Sequence, residues 1–96
     1  MYKRQVLGHQ SCGAVTAAVN GGDNGANINR LMTHITPAIT ASGDGADIAD
    51  VVKKNAELTA QVLVDRSDII SKAVKDNSVK IIPAYYNLDS GKVDFL

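Results

Sequence analysis

The stretch Val6-Leu7-Gly8-His9-Gln10-Ser11-Cys12-Gly13-Ala14-Val15 decides how this chain folds. Its entry, Gln5-Val6-Leu7-Gly8, is a short apolar run ended by glycine, the pattern of a buried strand. Cys12 to Val19 is small and apolar, which suits a helix packed closely on a sheet, and Asn20-Gly21-Gly22 stops it. The turn between them sits at a strand's C-terminal end, where open α/β sheets place their ligands. His9 and Cys12, three apart across that turn, can aim an imidazole nitrogen and a sulfur at one point, as a tetrahedral zinc site requires. The helix start beside Cys12 favours a thiolate, and Gly8 and Gly13 permit a tight turn and close approach of a ligand. Taken alone, this spacing is more commonly a buried cysteine acting as a small hydrophobe beside a loop histidine.

Downstream, Ile28, Leu31, Met32, Ile35 and Ile39 recur at helical spacing, with Pro37 expected to kink or break the helix. Between Asp47 and Val64, Ile48, Val51, Val52, Leu58, Val62 and Leu63 keep a 3.6-residue period with charges between them. Asn55 falls on that apolar stripe and is expected to be buried, with its amide bracing a neighbouring loop. Ser67 predicts an N-cap for a helix through Val74 that ends near Asn77. Val79 to Tyr86 is β-rich, and Asp89-Ser90-Gly91 turns it into the alternating Lys92 to Leu96, a hairpin that tolerates Pro83 at an edge or bulge. Tyr85, Tyr86 and Phe95 are expected in the core or an interface. The order β, α, α, α, α, β, β predicts an α/β fold, a short, mostly parallel sheet with flanking helices and a C-terminal β-hairpin.

Length and charge narrow the function. The 96 residues suffice for one domain, so 1–96 is read as a single unit. Ten basic and ten acidic side chains cancel, leaving no field to hold a nucleic-acid backbone or an anionic membrane. That neutrality also leaves self-association unopposed. The single cysteine forms no intrachain disulfide and fits a reducing compartment, so the expected location is cytoplasmic. No run approaches a membrane span.

The ten-residue stretch resembles the second zinc-ligand motif of the β-class carbonic anhydrases, an apolar pair followed by G-H-x-x-C-G-A-V. The similarity continues through a long helix with Asn55 and Gln61, a Ser67-x-Ile69-Ile70 helix start, and Ala84-Tyr85-Tyr86-Asn87-Leu88-Asp89-Ser90-Gly91-Lys92-Val93, which is similar to the family's G-x-Y-D-L-x-T-G-x-V ending. The resemblance implies a zinc-dependent lyase that reversibly hydrates carbon dioxide to bicarbonate. It implies His9 and Cys12 as metal ligands, Zn2+ as cofactor, the Gly13 backbone N–H facing a substrate oxygen, and a homodimer or higher homo-oligomer. In that chemistry the metal lowers the pKa of bound water toward ~7.

The resemblance also marks a departure. The family's upstream Cys-x-Asp-x-Arg motif, which supplies the third ligand and an Asp–Arg pair, has no counterpart in Met1 to Gln5. The chain is therefore expected to be an N-terminally truncated member with an incomplete metal site and no catalytic Asp–Arg pair. Asp23, Asp44 or His34 could complete a site within the chain, or two copies could pair their His9 and Cys12 into a closed Cys₂His₂ site. Rival readings are weaker. A serine nucleophile elbow needs one residue fewer between Gly8 and Ser11, and a thiol redox enzyme would lack a resolving cysteine. The strongest rival is a non-catalytic zinc-binding or structural module, whose open strand edge would invite association.

Overall fold

The computed structural model describes residues 2–96. Strand β1 (Tyr2–His9) leads into helix α1 (Gly13–Asn20), followed by α2 (Ala26–Ser42), α3 (Ile48–Arg66), α4 (Asp68–Lys75), β2 (Val79–Tyr86) and β3 (Val93–Phe95). The three strands form one sheet in the order β1-β2-β3, parallel between β1 and β2 and antiparallel between β2 and β3. The expected α/β fold is the observed one. No helix among the described residues is long and apolar enough to cross a membrane.

Local chemistry accounts for the element boundaries. Ser67 Oγ accepts the Ile70 N–H at 3.2 Å, the cap expected for α4. At the start of α3, the Asp50 carboxylate accepts the Asp47 N–H at 3.3 Å. Helix α2 runs through Pro37 without a break, contrary to one of the two outcomes expected there. Pro83 lies in the central strand rather than at an edge. Its ring nitrogen takes the side of β2 facing β3, and β3 ends at Phe95, just where Pro83 accepts from the Leu96 N–H and has no N–H to return.

The sheet has two unlike faces. A Cβ placed on Gly8 would lie 2.6 Å from Val52 Cγ1, so the Gly8 face of β1 is the one that α3 covers. Gly8 pairs with Tyr85, which belongs to the core cluster with Val15, Ile35, Ala38, Val51 and Val52. Residues alternate across a strand. The row Leu7, Ala84 and Phe95 therefore faces the other way. Among the described residues α3 and α4 are the helices that approach the sheet backbone, and in the second row Ala84 is buried while its cross-strand neighbours are not. Leu7 is 51% and Phe95 65% exposed, so Phe95 is not a core residue of this chain, whereas Tyr85 is.

Strand β1 is an open edge. Tyr2 N donates to Ser78 O and Gln10 N to Tyr86 O, each at 2.9 Å, which fixes the ladder on the even-numbered residues. The backbone groups of Lys3, Gln5, Leu7 and His9 consequently point away from β2. That edge ends at His9.

Candidate metal centre

The turn from β1 to α1 is built around Ser11, not around its glycines. Ser11 adopts φ 58°, the left-handed conformation, while neither Gly8 nor Gly13 has a positive φ. Gly8 serves the close approach of α3 instead. Cys12 is the N-cap of α1, with extended φ −60° and ψ 119°, and its carbonyl accepts from Thr16 N at 3.0 Å and Thr16 Oγ1 at 2.8 Å. No side chain caps this helix, so the first-turn N–H groups beginning with Gly13 are free of side-chain acceptors.

This geometry sorts the turn residues. His9 and Cys12 line one recess of about 290 Å³, together with Gly8, Val52, Asn55 and Thr59. Gln10 and Ser11 line a different one of about 400 Å³, with Thr16, Asp47 and Tyr85. His9 is exposed and Cys12 half-buried. His9 Nδ1 lies 3.1 Å from the Gln10 carbonyl oxygen. A carbonyl only accepts, so Nδ1 carries the proton in this contact, and in a neutral ring Nε2 is then the nitrogen with the lone pair.

In chemical kind, an imidazole and a thiol facing one recess suit zinc; in number they fall short of the three protein ligands of a catalytic site. Among the described residues, no group of three or more His, Cys, Asp and Glu side chains comes together to hold a metal ion. The candidates for a third ligand are placed elsewhere. Asp23 Oδ1 accepts from Gly25 N and Asn29 Nδ2, both at 2.9 Å, at the start of α2. Those bonds hold its carboxyl below the ordinary value. Asp44 is exposed in the loop after α2, and His34 is exposed on α2, in a groove shared with Asn55 and Arg66. Asn55 is half-buried rather than buried as expected, and no polar side chain among the described residues is fully buried. The described residues therefore do not fit a catalytic zinc by themselves.

One contact beside the turn has no signal in the sequence. The Gln10 amide donates to Asp89 Oδ2 at 2.9 Å and accepts the Asp89 N–H at 3.2 Å, tying the β1–α1 turn to the β2–β3 turn. The two are 79 positions apart, and no local pattern signals their pairing.

The sequence as a whole shows the family. Residues 5–93 match the family model described as Carbonic anhydrase, and the chain belongs to that family. Over 93 residues it is 32% identical to the protein named Carbonic anhydrase 2 of Mycobacterium tuberculosis, in strain CDC 1551 / Oshkosh and equally in strain ATCC 25618 / H37Rv, covering 91% of this chain and 45% of the relative. Its fold is similar to a structure reported among two tetrameric β-carbonic anhydrases from the filamentous ascomycete Sordaria macrospora. The TM-score is 0.84 at 16% identity, covering 100% of this chain and 52% of that one. The chain thus spans about half the length of these relatives.

Proposed function

We propose that this chain carries the His–Cys half of a carbonic anhydrase-type zinc site, and that its chemistry is the reversible hydration of carbon dioxide to bicarbonate. The observation behind this reading is the shared recess of His9 and Cys12 at a strand end, within a chain of that family. Catalysis requires a third donor beside these two. Gly13, at the uncapped start of α1, is the residue proposed to offer its N–H to a substrate oxygen. The cofactor on this reading is Zn2+, the assembly a homodimer or larger, and the location the reducing cytoplasm.

The test is a chimera in which the part of the M. tuberculosis relative that this chain does not match is joined to this chain. Stopped-flow assay of carbon dioxide hydration is expected to show zinc-dependent turnover that His9→Ala and Cys12→Ser each abolish. A folded, zinc-loaded chimera without turnover would contradict the reading.

A second reading, a non-catalytic zinc-binding or oligomerising module, draws support from the open β1 edge and the exposed Leu7 and Phe95. Clear zinc-dependent turnover by the 96-residue chain alone would reject it.

A further inference from the structure

Gln10 is held from three directions. Its backbone N–H donates to Tyr86 O at 2.9 Å. Its side-chain amide makes the two bonds to Asp89, and its carbonyl oxygen faces His9 Nδ1 at 3.1 Å. The amide has one orientation that satisfies both bonds, because a carboxylate only accepts and a backbone N–H only donates. Asp89 is fixed in turn, its N–H also reaching Asn87 Oδ1 at 3.0 Å within the β2–β3 turn. Residue 10 is thereby clamped to the hairpin through its backbone N–H and its side chain, and its own carbonyl oxygen, in the peptide unit that follows it, has a set position.

We propose that Gln10 and Asp89 are a positioning pair that holds the His9 imidazole in its Nδ1–H form, with Nε2 presented as a bare lone pair. Neither residue touches the recess that His9 and Cys12 share. They act through the Gln10 carbonyl, whose bond to one ring nitrogen decides which nitrogen stays free. The use of that lone pair as a metal donor rests on the proposed function; the tautomer does not.

The experiment is nitrogen-15 NMR of the His9 ring in the metal-free full chain, at a pH where the ring is neutral. The wild-type chain is expected to show predominantly the Nδ1–H form. Gln10→Ala removes both side-chain bonds and is expected to lower the ratio of Nδ1–H to Nε2–H by roughly three- to tenfold, the weight of about one net hydrogen bond. Asp89→Asn keeps an oxygen that accepts from the Gln10 amide and is expected to retain the wild-type ratio. Asp89→Ala, which retains the Asp89 N–H, should fall between. A predominantly Nε2–H ring in the wild-type chain would overturn the proposal, as would an unchanged ratio in a folded Gln10→Ala chain. Because no metal or substrate is present, this result is independent of whether the chain hydrates carbon dioxide.

Discussion

Gly8 of β1 and Val52 of α3 lie too close for any larger residue at position 8: a Cβ there would meet Val52 Cγ1 at 2.6 Å and the Val52 carbonyl oxygen at 3.3 Å. This approach seats α3 against the strand that ends at His9, so it sets the depth of the recess. Gly8→Ala is expected to destabilise the fold by about 1–3 kcal/mol through overpacking, read as a lower denaturant midpoint. Adding Val52→Ala should recover only part of the loss, because the carbonyl contact persists and a buried Val has been truncated. A stability unchanged by Gly8→Ala would contradict the packing.

Ser11 takes the left-handed conformation of the turn at φ 58°. Ser11→Gly should therefore be neutral or slightly stabilising, because the Cβ penalty of that region is relieved while glycine loses more chain entropy on folding, whereas Ser11→Val should be destabilising, because a β-branched side chain is a steric outlier there. Thermal unfolding of the two variants checks this order, and equal stabilities would show that the turn relaxes.

Much of the fold was legible in the chain, and the misses have physical causes. The period of Val51 and Val52 announces α3, and Ser67 announces α4, because both signals are local. Strand β1 starts at Tyr2 rather than Gln5 because Lys3, Arg4 and Gln5 are exposed and carry no hydrophobic signal; the ladder to β2 orders them. Pro37 stays helical, where the sequence left a kink and a break both open. At the turn, the motif set His9 and Cys12 side by side, and the two line one recess. The Gln10–Asp89 clamp was not, since it depends on two turns that only the folded sheet brings together.

The open edge of β1 makes a prediction about hydrogen exchange. Amides of Arg4, Val6 and Gly8 point into the ladder with β2, while those of Gln5 and Leu7 point outward. In dilute monomeric chain, exchange measured by NMR should alternate, slow at even positions and fast at odd ones. Equal protection of Leu7 and Gly8 would show that something covers the edge.

Asp23 carries a pH dependence at the start of α2. The Gly25 N–H first, and the Asn29 amide second, favour its charged form and lower its pKa below 3.8. A depressed folded-state value means the contribution is present above the unfolded pKa and is lost as pH falls through the folded one. Wild type should thus lose more stability than Asp23→Ala between neutral pH and a pH below 3.8. Denaturant titrations at both pH values test this. Parallel losses would contradict it, and the exposure of the group makes the difference smaller at high salt.

The account stands on His9 and Cys12 meeting at one cation, and cobalt(II) titration of the 96-residue chain tests that most directly. It predicts weak, saturable binding with a thiolate-to-cobalt charge-transfer absorption, abolished by Cys12→Ser and weakened at least tenfold in affinity (about 1.4 kcal/mol) by His9→Ala. A charge-transfer band indifferent to His9→Ala, or none at excess cobalt, would contradict it.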